Sequence, residues 1–67
     1  MSQFSDKLLR YMVAEYHATG NNHFDYVNML NCISDKDQLG RAIETLEEYD
    51  IIEGDYVSGF KILKFPD

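Results

Sequence analysis

At Asp50 the apolar residues of this chain change period. Before it they recur every three or four positions, as on one side of a helix; after it they run in extended stretches punctuated by glycine. Such a chain has to pack helices against a hairpin, because neither kind of element can hide its apolar face alone. A chain of 67 residues buries only about 60% of its unfolded surface, too little to divide between two cores. Residues 1–67 are therefore expected to form one α+β domain of three helices followed by a β-hairpin.

The first helix is read over residues 3–18. Phe4, Leu8, Met12 and Tyr16 stand four apart with Leu9 and Val13 beside them, a wide stripe for facing a core. Ser2 or Ser5 can cap its start, and Gly20 followed by Asn21 and Asn22 suits its end. Asp25 can cap a short second helix with Tyr26, Val27 and Leu30 inward and Met29 nearby, broken at residues 31–33. Ser34 or Asp35 then caps a third, running to about Glu48, whose inward residues are Leu39, Ala42, Ile43, Leu46 and Tyr49.

For the hairpin, a two-residue turn at Ser58-Gly59 pairs Val57 with Phe60, Tyr56 with Lys61, Glu53 with Lys64 and Ile52 with Phe65. This register turns Ile52, Tyr56, Leu63 and Phe65 toward the helices and sets Glu53 against Lys64 on the other face. A competing turn at Gly54-Asp55 would leave a shorter first strand.

Helix, short helix, tight turn, longer helix and hairpin together resemble the winged helix-turn-helix family over nearly the whole chain. The matching stretches are the turn Asn31-Cys32-Ile33-Ser34, the helix from Asp35 to Glu48 in the place of the recognition helix, the transition Tyr49-Asp50-Ile51-Ile52-Glu53-Gly54, and a wing closed by Gly59-Phe60. An Asn-rich segment between the first two helices departs from the pattern. The resemblance implies a third helix lying in the DNA major groove, with basic residues of helix and wing on the phosphates.

The residues at those positions argue against DNA. The chain carries a net charge of −6, and its most acidic part is residues 34–49. Lys36, Gln38 and Arg41 open the third helix and can reach base edges or phosphates, but Asp35, Asp37, Glu44, Glu47 and Glu48 surround them. Each carboxylate brought within 4 Å of a phosphate costs on the order of 1 kcal/mol even in water, and DNA affinity comes chiefly from phosphate neutralisation by Lys and Arg. Lys61 and Lys64 lie along one strand of the wing, whose tip has no cation. The expected partner is thus a protein with a basic surface, met through Glu44, Glu47 and Glu48, or a second copy of the chain; Tyr11 and Tyr56 are the aromatic interface candidates. A sequence-specific DNA-binding regulator using Lys36, Gln38, Arg41, Lys61 and Lys64 is the alternative, and a mimic of DNA phosphates a narrower form of the first reading.

Little else points to chemistry. His17, His23 and Cys32, with Asp25 as a fourth group, match no zinc spacing, so no metal or cofactor is expected. Adjacent acids such as Glu47 and Glu48 do not face one another across a substrate. With no nucleophile elbow and no phosphate-cradling loop, the chain reads as no enzyme and as having no small-molecule substrate. The lone Cys32, the charges at Asp6, Lys7, Arg10 and Glu15 where a signal peptide is apolar, and the lack of an apolar membrane-length run suggest a cytoplasmic protein.

Overall fold

Three helices are followed by a two-stranded antiparallel hairpin, the α+β arrangement of a winged helix, in a computed structural model that describes residues 3–66. The helices are α1 (Gln3–Thr19), α2 (Tyr26–Cys32) and α3 (Lys36–Glu48); the strands are β1 (Ile52–Asp55) and β2 (Gly59–Ile62).

The helices start and stop where local chemistry dictates. Gly20 ends α1 with a positive φ, its N–H donating to the Tyr16 carbonyl. Ser5 is fully buried within α1 and does not cap it; Ser2 lies outside the described residues. Asp25 and Asn28 form a reciprocal capping box for α2. Asp35, rather than Ser34, caps α3 by accepting from the N–H groups of Asp37 and Gln38. At the far end of α3, Ile51 N–H donates to the Leu46 carbonyl and Asp50 N–H to that of Glu47. These are the two bonds of a Schellman motif, with Asp50 taking the left-handed position at φ 57. The chain thereby leaves the helix axis, and Tyr49, expected inside, is 57% exposed.

Leu8, Leu9 and Met12 of α1, Met29 of α2, and Leu39, Ala42, Ile43 and Leu46 of α3 meet in one core, closed from the wing side by Ile52, Phe60 and Ile62. Each of these side chains except Ala42 contributes about 1.5–3 kcal/mol through removal from water. Met29 takes the core-facing position of α2, and two residues earlier a helix points the opposite way. Val27, expected inside, is accordingly 65% exposed.

The hairpin register differs from the sequence expectation by three residues. Ile52 pairs with Ile62, Glu53 with Lys61, Gly54 with Phe60 and Asp55 with Gly59. Asp55 decides this, because its carboxylate accepts from the N–H groups of Val57 and Ser58 and from the Ser58 hydroxyl. It closes a three-residue loop instead of the two-residue Ser58-Gly59 turn, and the Gly54-Asp55 turn is not formed either. Gly59 follows at φ 95, and a side chain at Gly54 would strike the Gly59 carbonyl. Since a shift by an odd number reverses the faces of a strand, Phe60 and Ile62 point inward where Leu63 and Phe65 were expected. Leu63 and Phe65 are exposed, though the Phe65 ring rests on that of Tyr16, 4.7 Å between centroids. Glu53 pairs with Lys61 at 3.4 Å, and Lys64 instead reaches the Tyr49 carbonyl.

The Asn-rich segment continues the sheet on the other side of β2. Phe24 exchanges both backbone bonds with Phe60, at 2.8 and 2.7 Å. Two residues before it, the Asn22 amide does the same with side-chain atoms, its Nδ2 donating to the Ile62 carbonyl at 3.0 Å and its Oδ1 accepting from Ile62 N–H at 2.8 Å. No helix among the described residues is long and apolar enough to cross a membrane.

Candidate functional site

In a winged helix the exposed face of the third helix and the wing flank a common surface, and here the C-terminal half of that helix and the wing tip carry carboxylates and rings. Core burial of Leu39, Ala42, Ile43 and Leu46 turns Glu44, Glu47 and Glu48 outward, all three exposed. The Asp55 loop carries Tyr56 and Val57 at its tip, 56% and 98% exposed. Tyr56 nevertheless has a fixed place. Its ring lies edge-on to the buried ring of Phe60, 5.5 Å away, and to that of Tyr26 at the start of α2, 5.2 Å away.

Tyr56 packs on rings of the wing and α2 and feels the charge of the acidic helix. Burial, then Tyr26, Glu47 and Glu44, push its hydroxyl above the ordinary tyrosine value, so it remains a neutral donor beside carboxylates. Asp55, by contrast, is held below the usual carboxylate range by the Ser58 and Val57 N–H groups and the Ser58 hydroxyl, and stays charged. Neither Glu44 nor Glu47 forms an ion pair among the described residues.

Of the remaining site candidates, Gln38 and Arg41 meet this surface at Glu44, and the others lie apart from it. Tyr11 is half-buried with its ring against Phe24 at 6.3 Å, and burial, with Glu15, Cys32 and Asp25 next, raises its hydroxyl. Gln38 and Arg41 line an open cleft of about 350 Å³ with Phe4, Glu44 and Thr45, between the start of α1 and α3. Lys36 is exposed at the first turn of α3. Lys61 lies against Glu53 on the hairpin face that turns away from the core, and Lys64 sits at the C-terminal end of α3. Lys36, Gln38 and Arg41 thus share the first turns of α3, while the two wing lysines are engaged elsewhere.

No protein-family model, curated protein or solved structure matches the chain.

The residues considered as metal ligands have separate roles. His23 Nε2 bonds the Ser58 carbonyl at 2.7 Å, bracing the wing loop, and the His17 ring packs edge-on to Tyr16. The Cys32 thiol donates to the Lys7 carbonyl, and burial raises its pKa against the opposing effect of Lys7. Among the described residues no three of His, Cys, Asp and Glu converge on a point that would hold a metal.

Sequence reasoning missed the part of Tyr26, assigned there to the core, and the sheet contribution of residues 22–24. Phe24 was the available signal: a large apolar residue amid Asn21, Asn22, His23 and Asp25 needs something to cover it. What the assembled surface can do chemically is bind. It offers fixed aromatic area, a neutral hydroxyl donor and negative charge.

Proposed function

We propose that this chain is a non-enzymatic winged-helix module, regulatory and cytoplasmic, that binds a protein with a basic surface through the face shared by α3 and the wing tip. The observation that carries the reading is the placement of Tyr56. Anchored on Phe60 and Tyr26, it stands in electrostatic reach of Glu47 and Glu44. A rigid tyrosine contributes interface area at little entropic cost, and carboxylates around it select a cationic partner by attraction and repel wrong ones.

Sequence-specific DNA binding remains the second reading, because Lys36, Gln38 and Arg41 occupy the first turns of α3, where a groove-reading helix makes its contacts. Two measurements separate the readings. The triple variant Glu44→Lys, Glu47→Lys, Glu48→Lys should keep its far-ultraviolet circular dichroism and lose the protein captured from lysate by the wild type; unchanged capture refutes this face as the binding surface. Titration of labelled duplex DNA at about 50 mM salt should show no binding, whereas binding that weakens steeply with salt would establish the second reading.

A further inference from the structure

We propose that the protein bound by this face presents an arginine-bearing segment, whose guanidinium lies on the exposed ring of Tyr56 and against the carboxylates of Glu44 and Glu47. This rests on the reading of the α3 and wing surface as protein-binding and names the chemistry of what it takes.

Tyr56 sits at the tip of a loop, where side chains are ordinarily free to turn, yet three features hold it. Asp55 accepts from the N–H groups of Val57 and Ser58, His23 bonds the Ser58 carbonyl, and the ring meets Phe60 and Tyr26 edge-on. More than half of its surface still faces solvent. A fixed aromatic surface attracts a cation through its quadrupole, and nearby carboxylates strengthen that preference.

Among the described residues no cation pairs with Glu44 or Glu47, although Arg41 lines the cleft beside Glu44. Lys61 lies on Glu53, Lys64 on the Tyr49 carbonyl and Arg10 on Asp6. Gly40 stands one turn before Glu44 on the same side of α3, and an added Cβ there would meet nothing within 4 Å. The helix surface beside the carboxylates is therefore open to a close approach by a partner backbone.

Charge also decides between occupants. A second copy meeting this face about a two-fold axis would set Glu44 and Glu47 against their own counterparts, and a nucleic acid would set phosphates there. An arginine meets both halves of the site at once, stacking its plane on a ring while its fork bonds a carboxylate; lysine offers only a point charge.

The test uses the full chain labelled with ¹⁵N and three short peptides of alternating glycine with arginine, lysine or glutamate. The arginine peptide should shift the amides of Tyr26, Glu44, Glu47, Tyr56 and Val57, the lysine peptide more weakly, and the glutamate peptide not at all. Tyr56→Leu should weaken the arginine peptide about two- to fivefold, and Tyr56→Phe should restore it. The pair Glu44→Gln, Glu47→Gln should weaken it as well, with the spectrum otherwise that of the folded wild type. Equal binding of the glutamate peptide, shifts confined to other surfaces, or full affinity in Tyr56→Leu overturns the proposal. If the arginine peptide fails at this face while the triple lysine variant still loses its captured protein, the arginine inference alone falls. If capture is also unchanged, or duplex DNA shifts the same amides, the protein-binding reading falls with it.

Discussion

Replacing Asn22 by alanine tests whether a side chain completes the sheet. The amide makes two bonds to Ile62, 3.0 Å from Nδ2 to the carbonyl and 2.8 Å from the N–H to Oδ1, in a half-buried setting. Asparagine can do this because its amide carries the same donor and acceptor as a peptide group. Each bond contributes about 0.5–1.5 kcal/mol net, and Asn22→Ala strands both backbone groups of Ile62 where water reaches them only in part. A loss of about 2 kcal/mol follows, which lowers the melting temperature of a domain this small by roughly 10 °C. Thermal and urea denaturation followed by circular dichroism measure it, and faster exchange of the Ile62 amide localises it. Asn21→Ala is the control. Its side chain makes one exposed bond, to the His23 carbonyl, and its removal should cost less than about 0.5 kcal/mol. Asn22→Asp keeps the acceptor for Ile62 N–H but sets a second oxygen against the Ile62 carbonyl, so it should be as destabilising as alanine at neutral pH and recover on acidification. An Asn22→Ala variant that melts within about 2 °C of wild type, or an Asn21→Ala variant that loses as much, would refute the account.

Two further perturbations test the helix and the wing. Gly40→Ala places a Cβ in open space within α3; it should stabilise the domain by about 0.5–1 kcal/mol while weakening capture of the partner, and a variant no more stable than wild type in urea contradicts the first half. The depressed folded pKa of Asp55 means that its charge stabilises the fold above the unfolded aspartate value of about 3.9, a contribution lost as pH falls through the lower folded value. Asp55→Asn should therefore be less stable than wild type at pH 7, with the gap closing in acid; a gap constant from neutral to strongly acid pH would refute the role of the carboxylate.

The helices were legible to within about a residue because caps and stripes are local. Asp25, Asp35 and Gly20 act on backbone groups only a few positions away, and the burial of Leu8, Met12, Leu39, Ile43 and Leu46 follows from their spacing. The register was not legible, because two turn chemistries compete within five residues. Ser58-Gly59 fits a two-residue turn as a dipeptide, but the carboxylate of Asp55 bonds two amides beyond it and moves the reversal back. The third line of the sheet was hidden for another reason. Asn22 mimics a backbone group, and the partner that gives it this role is 40 residues away.

That register matters to function more than to architecture, because it sorts the charges. Had Glu53 paired with Lys64, both residues at the foot of the wing would have been spent on each other, leaving Lys61 beside an inward Tyr56. The shift by three residues instead fixes Lys61 to Glu53 on the outer face of the hairpin and sends Lys64 to the end of α3. It also carries Tyr56 to the loop tip, against Phe60 and Tyr26 and toward Glu44 and Glu47. From sequence, the acidity of the third helix argues against DNA, and Lys61 and Lys64, along one strand of a wing whose tip has no cation, do little to offset it. With those lysines engaged elsewhere and a neutral ring at the loop tip, the C-terminal half of α3 and the wing tip offer an anion carboxylates, while Lys36 and Arg41 lie in the first two turns of the helix. The same surface meets a cation with two kinds of attraction.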